Sequence, residues 1–443
     1  MPAMSPLFHK AGRRGCVTAI SSSVRRRHSR MQRTLVISIL AISGLTGRAQ
    51  NADHAFALQN GDRVVFYGDS ITAQRLYTRD VEEFVLTRYP RLSVEFFNAG
   101  VPGDTVYGGY AGTTSTRLAR DVFPLKPTVV TVMLGMNDPG YVPFDQRIFD
   151  VFQSGYKSLL DNLTKSLPQA RITLIESSPY DEITHGTEFP GLNATVLRYG
   201  EFVRQVAQQR HLPFADFNTT LDSALQSEMA SNPSYAALLI PDRIHPSEAA
   251  HWLMTEELMR AWHADGEVSH VDLDAASGKV ASAQNAEVSA LKITAGGIAW
   301  TALEHALPLP FSPDAPLLQF ALQSTDLSAM DREMLQVSGL QAKQYTLQID
   351  GKTVADLTSA ELAAGVNLAL LRTPMLDQAR DVDWLEDRKI KLDAARFALE
   401  AEMPKTAGAA QAIRTLRDAE EQVTQEQWSK NKPKPHAFAL VAK

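Results

Sequence analysis

The 443-residue chain holds one cysteine, Cys16. A lone thiol excludes a disulfide framework and a cysteine-based metal site. Cys16 also precedes the only concentrated apolar stretch of the N-terminal region, so a chain cleaved after that stretch has neither a cysteine nucleophile nor a lipid-anchor cysteine. Basic charge is scarce beyond the first residues. Nine of the 44 Lys and Arg fall in residues 1–50, which hold no Asp or Glu, so the other 35 face all 50 acidic residues. An acidic body excludes the electrostatics of a nucleic-acid partner. Low-complexity tracts and internal repeats are missing too. So is any apolar run long enough to cross a bilayer, and no integral membrane span is expected.

What the basic N-terminus does contain is an address. From Met31 the chain reads "MQRTLVISILAISGLTGRAQ", with Arg33, an apolar stretch from Leu35 to Leu45, then Gly47-Arg48-Ala49. This is a signal-peptide layout at about 31–49 within a targeting segment 1–50, and it implies export to the periplasm or the medium. Met31 is the expected start, with residues 1–30 an over-extended reading frame. The alternative is a basic arm.

With 44% hydrophobic residues the chain has ample material for a core and for two domains. Between residues 60 and 265 apolar, β-branched runs recur at "RVVFYG" (63–68), "SVEFFNAG" (93–100), "TVVTVMLG" (128–135), "RITLIESS" (171–178) and "PFADF" (213–217). Helical patterns fill the gaps at 77–89, 113–123, 145–167, 192–210 and 219–230, and a last helix follows Pro246. Strands that are apolar on both faces and alternate with helices predict an α/β fold, a parallel sheet covered on both sides. Active sites of such sheets collect at the carboxyl ends of the strands. Residues 266–284 are small and polar and read as a linker. Residues 285–443 read as a C-terminal extension, first β-rich, with a hairpin turn at "DGK" (350–352), then helical and highly charged from 376 to about 430. That charge run reads as a solvated helix face.

Four short stretches fall at strand ends: Gly68-Asp69-Ser70, "NAGVPGDT" (98–105), "GMND" (135–138) and "DRIHP" (242–246). Read singly each is ordinary: a turn, a loop, an Asx-turn, and a helix cap beside a surface histidine. Together they supply every part an acyl-transfer site needs. Ser70 offers a hydroxyl. His245 offers a base, histidine being the side chain that exchanges protons near neutral pH. Asp242, one turn of chain earlier, can orient that base. The backbone N–H groups of Ser70 and Gly103 and the Asn137 amide can meet an oxyanion, glycine leaving the approach open. Asp104 and Thr105 sit beside that position and are candidates to touch substrate. Asp69 reads as a brace for its own turn, His185 as a loop residue, and Tyr67, Trp252 and the Phe96-Phe97 pair as core. His251 points elsewhere on the helix that follows His245. No His, Asp or Glu cluster has metal-ligand spacing, and neither metal nor cofactor is expected.

This constellation, in this order, resembles the SGNH, or GDSL-type, hydrolases: Ser in "GDSIT", Gly in "PGDT", Asn in "GMND" and Asp-x-x-His in "DRIHP", over roughly residues 60–265. The resemblance implies a three-layer α/β/α fold of flavodoxin-like type. It also implies a Ser70–His245–Asp242 triad, oxyanion donors at Ser70, Gly103 and Asn137, and no metal. Pro102 before Gly103 departs mildly from the family pattern, where a small residue is usual. The stretch "AGVNLALLRTPMLDQA" (364–379) resembles an extension carried by some exported bacterial members. The resulting expectation is an exported serine esterase acting on small-acyl esters of small molecules or polysaccharides, above all O-acetyl groups of carbohydrates. Three rivals stay open: a glycan O-acyltransferase, a lipid or thioester esterase, and a glycan-binding protein with a vestigial triad.

Overall fold

Five of the apolar runs become five parallel strands: β1 (Arg63–Gly68), β2 (Glu95–Gly100), β3 (Val129–Met133), β4 (Arg171–Glu176) and β5 (Phe214–Asp216). They lie in the order β2-β1-β3-β4-β5, every neighbouring pair parallel. The computed structural model describes residues 55–443 except 187, 295, 312–319, 321–326 and 403–405, so the expected targeting segment 1–50 lies outside the described residues. After β1 come α1 (Ser70–Ala73) and α2 (Leu76–Arg88). Helix α3 (Gln146–Ser166) follows β3, α4 (Leu192–Arg210) follows β4, and α5 (Phe217–Ser231) and α6 (Glu248–Ala261) follow β5.

Strand side chains alternate between two cores. Val64 and Phe66 of β1 pack with Tyr77 and Phe84 of α2, Leu225 of α5 and Leu253 of α6. Val65 and Tyr67 pack with Phe152 and Tyr156 of α3 and Tyr199 and Phe202 of α4. The result is the expected three-layer α/β/α arrangement. The helical pattern at 113–123 is regular only over Thr114–Arg117. It continues as a wide turn over Leu118–Val122 and a tight one over Phe123–Leu125, where Pro124 cannot donate to a helical ladder.

The expected linker at 266–284 is not one. It folds into β6 (Glu267–Asp274) and β7 (Lys279–Gln284), an antiparallel pair. Ser269, Val271 and Leu273 are buried between half-exposed neighbours, a strand-like alternation that the small polar composition masked. Seven more strands follow: β8 (Ala286–Thr294), β9 (Gly297–Glu304), β10 (Arg332–Ser338), β11 (Gln344–Ile349), β12 (Lys352–Thr358), β13 (Val366–Asn367) and β14 (His436–Ala442). One sheet runs β8-β9-β14-β11-β12, the other β13-β10-β6-β7. Leu273, Trp300, Val337, Leu347 and Phe438, drawn from both sheets, share one core, so this part is a β-sandwich. The β11–β12 hairpin turns on Asp350 and Gly351, both at positive φ, as a tight hairpin turn requires.

Between β13 and β14 lie α7 (Pro374–Glu402) and α8 (Ala407–Lys430). Their charge run does not simply face water. Glu386, Lys389, Asp393 and Arg396 of α7 are buried, because groups at the start of α2, on α2 and on α8 match them: Gln427 of α8 donates to Glu386 at 2.6 Å and Glu420 of α8 pairs with Arg396 at 2.8 Å. Asp393 pairs with Arg75 at 2.9 Å, and Lys389 pairs with Glu82. Asn431 after α8 donates to the Leu86 carbonyl at 2.9 Å, and Arg88 of α2 pairs with Asp331 at 2.8 Å in full burial. The parallel sheet and the C-terminal region therefore belong to one unit.

Candidate active site

Strand β1 ends at Gly68, and Asp69 caps α1 with its Oδ1 accepting the Ile71 N–H at 3.0 Å. Ser70 is the first residue of α1, so its own N–H is a first-turn donor without an intrahelical partner. The turn can sit this tightly because β2 ends in Gly100, where a Cβ would run into the Ala73 backbone nitrogen. Gly68 lies level with Gly100 of β2 and Met133 of β3. The loops after these three adjacent strands therefore emerge side by side at one edge of the sheet.

Asp242 and His245 reach the same edge from the loop before α6. One carboxylate oxygen of Asp242 accepts the backbone N–H groups of Ile244 and His245 at 3.0 and 2.7 Å. Its other oxygen meets His245 Nδ1 at 2.6 Å. A carboxylate can only accept here, so Nδ1 carries the proton and Nε2 is bare. Nε2 lies 2.8 Å from Ser70 Oγ and accepts the hydroxyl proton. Burial works against the Asp242 charge, but the hydrogen bonds from His245 and Ile244 outweigh it and hold the carboxyl below its ordinary value. The Asp242 and His245 side chains are 55% and 31% exposed, so the pair is open to water.

Gly103 adopts φ +73°, a left-handed conformation that favours glycine, and a Cβ there would meet nothing within 4 Å. It faces an open cleft of about 550 Å³ whose lining also includes Ser70, Asn137, Asp242, His245, Ala73, Gln74, Pro102 and Tyr141. Asn137 is held at both ends: its Nδ2 donates to the Asp104 carbonyl at 3.0 Å, and its Oδ1 accepts from the Tyr141 hydroxyl at 3.1 Å. One amide hydrogen remains for the cleft. Tyr141 adopts φ +56°, a strained conformation for a bulky side chain. Burial pushes its phenol up to about 12, which keeps it a neutral donor. Tyr141 and Gln74 were not singled out from the sequence; the one available signal is that each follows a site residue by four positions.

The structure does not turn Asp104 and Thr105 toward the cleft. The Asp104 carboxylate is fully buried and pairs with the equally buried Arg117 at 2.8 Å. The Thr105 hydroxyl donates to the Gly108 carbonyl at 2.8 Å and accepts the Tyr107 N–H at 3.2 Å, closing its own loop. After the left-handed turn at Gly103 the Asp104 side chain runs inward. Asp138 is held the same way, its Oδ1 accepting the Val106 N–H at 3.0 Å. Among the described residues no group of three or more His, Cys, Asp or Glu side chains could hold a metal ion, and no helix is long and apolar enough to cross a membrane.

Burial pushes Asp69 and Asp138 each up to about 7. Their folded values exceed the unfolded one, so the stability they lend is complete below about pH 4 and is lost as pH rises through 7. The variant Asp69→Asn/Asp138→Asn should therefore gain stability over the parent between about pH 5.5 and 8, by about 2 kcal/mol for each group. Thermal melts at the two pH values measure this. A difference in Tm that does not change with pH would refute it.

The family model of GDSL-like lipases and acylhydrolases matches residues 66–253. An acetylxylan esterase of Geobacillus stearothermophilus is 26% identical over 219 residues, which span 45% of this chain and 94% of that protein. The solved structure of a gut microbial diltiazem-metabolizing enzyme is similar with a TM-score of 0.79 at 25% identity, over 88% of this chain and 99% of that one. The first likeness is confined to less than half the chain; the second extends well beyond the matched family segment into the C-terminal region. Residues 66–253 are thus a GDSL-like acylhydrolase domain, of the SGNH or GDSL-type hydrolases, and this domain makes the protein a carboxylic ester hydrolase.

Proposed function

We propose that the protein removes small acyl groups, above all O-acetyl groups of carbohydrates, through Ser70, His245 and Asp242. The observation that carries this reading is the unbroken hydrogen-bond chain Asp242–His245–Ser70 at an open cleft. In this mechanism Ser70 Oγ attacks the ester carbonyl while His245 Nε2 takes its proton, and Asp242 stabilises the imidazolium. The negative oxygen meets the N–H groups of Ser70 and Gly103 and the Asn137 amide. His245 then returns its proton to the departing alcohol. Water, deprotonated by the same nitrogen, releases the acid and frees Ser70.

The small or polar lining, with Ala73, Gln74, Pro102 and Asn137, suits a short acyl group and a hydrated alcohol better than a long acyl chain. Access of water to the Asp242–His245 pair supports hydrolysis over transfer to a second alcohol. The acetylxylan esterase likeness supports a carbohydrate acetate, and the basic, apolar, small-residue layout at 31–49 supports export.

The test is the rate on p-nitrophenyl acetate, butyrate and octanoate and on an acetylated polysaccharide. Acetate should be the best of the three aryl esters, and acetate should be released from the polysaccharide. Because His245 must be neutral to accept a proton, kcat/KM should also fall with acid. A preference for octanoate, or a rate that does not change from pH 5 to 8, would overturn the reading.

A further inference from the structure

His251 takes no part in the proton chain just described, yet it is fully buried one helical stretch after His245. The backbone N–H of Tyr77 points at its Nδ1 from 3.2 Å. A backbone N–H can only donate, so Nδ1 must be bare. The ring stacks parallel on Tyr77 at 5.8 Å. Burial, with repulsion from His245, pushes its value down to about 3, so the ring is neutral and its one proton sits on Nε2. Nε2 lies 3.0 Å from Gln74 Oε1. The buried ring therefore dictates the orientation of the glutamine: Oε1 accepts from Nε2–H, and the NH2 group occupies the opposite corner of the amide.

Gln74 is exposed and lines the cleft beside Ser70. A short acyl group offers no acceptor other than its reacting carbonyl, which the oxyanion donors meet. Two further N–H donors on this wall are of use only to the alcohol part of the ester. We infer that Gln74 is a substrate-binding residue, oriented by His251 to donate to a hydroxyl or ring oxygen of the alcohol moiety. The inference rests on the reading of Ser70 as an esterase site. In it, Gln74 contributes to alcohol selectivity, and His251 is a positioning residue acting through Gln74.

The test compares two acetates with the same acyl group: p-nitrophenyl acetate, and a mono-O-acetylated methyl xyloside with its other hydroxyls free. In Gln74→Ala the ratio of kcat/KM for the sugar ester to that for the aryl ester should fall about tenfold, chiefly through KM. His251→Asn keeps an acceptor for the Tyr77 N–H but loses the Nε2 donor, and should lower the same ratio. The double variant should fall no further than Gln74→Ala alone. In the parent protein, ¹⁵N spectra should show His251 as the Nε2-protonated tautomer from pH 8 to 5, a readout independent of turnover. An unchanged ratio in Gln74→Ala, or a proton on Nδ1, overturns the inference while leaving the esterase reading standing. A parent chain that cleaves neither ester overturns both.

Discussion

Ser70→Ala should lower kcat for p-nitrophenyl acetate by at least about 10³–10⁴-fold without unfolding the protein. The size of the effect follows from what the oxygen does. No other hydroxyl lies within hydrogen-bond reach of His245 Nε2 in the described contacts, so no second side chain can take over the attack. The fold should be indifferent, because the turn is held by Asp69 capping Ile71 and by the close approach at Gly100, neither of which uses the Ser70 side chain. Tm should stay within about 2 °C of the parent, since the lost bond is a single, partly exposed one. A second feature separates a working triad from a bystander hydroxyl. In a concerted unit the loss of one member already removes the benefit of the others, so Ser70→Ala/His245→Ala should be no slower than Ser70→Ala. Turnover near the parent's in Ser70→Ala would remove Ser70 from its proposed role. A further large loss in the double variant would mean that His245 serves a different nucleophile.

The parallel sheet was legible in the sequence because strands buried on both faces leave near-continuous apolar runs, and 63–68 and 128–135 are such runs. Ser70, Gly103 and Asn137 were legible as a group because each follows one of three strands that prove to be neighbours, with β1 between β2 and β3. Local chain geometry alone lets Asp242 reach His245. Properties that depend on direction rather than spacing were not legible. Asp104 and Thr105 adjoin Gly103 in sequence, but the Asp104 side chain is buried against Arg117 and the Thr105 hydroxyl is spent on its own loop. Gln74 and Tyr141 matter only through the cleft wall they share, which exists once loops from different strands have met. His251 does point away from Ser70, as its helix position suggested. Yet α6 packs on α2, and a buried ring there still reaches Gln74. In the C-terminal region, the polar residues of β6 hid a strand with alternate buried positions. The charged row of α7 hid an ion-paired contact whose partners lie three hundred residues earlier. Charge complementarity between distant helices has no local signature.

Arg117→Met should destabilise the protein by about 3–5 kcal/mol, more than a surface ion pair could explain. Arg117 is fully buried. Its guanidinium donates to Asp104 at 2.8 Å, to Asp121, and to the Ala99 carbonyl at 2.8 Å, and it lies over the Tyr67 ring at 5.1 Å. Methionine would fill most of the volume and remove only the charge and the donors. The buried Asp104 carboxyl and the Ala99 carbonyl would be left without their partner, while Asp121 would keep Arg120 at 2.8 Å, and an uncompensated buried carboxylate is the costly outcome. Two controls separate this cause from lost packing. Burial already holds the Asp104 carboxyl above its ordinary value, against the pull of Arg117. Without the cation it should rise further. A raised folded value favours the folded state at low pH, so the deficit of Arg117→Met should shrink as pH falls from about 8 to 5. Arg117→Met/Asp104→Asn, which removes the buried Arg117–Asp104 pair and leaves Asp121 to Arg120, should be more stable than Arg117→Met at pH 8. The rate should respond as well. The Asp104 carbonyl anchors the Asn137 amide at 3.0 Å, and Arg117 fixes Asp104 from behind, so kcat on p-nitrophenyl acetate should fall in Arg117→Met at temperatures where the variant is still folded. Urea melts at the two pH values decide the matter: a loss below about 1 kcal/mol, or a deficit that is equal at both, would show that the buried cation neither offsets these carboxylates nor braces the loop that carries Gly103.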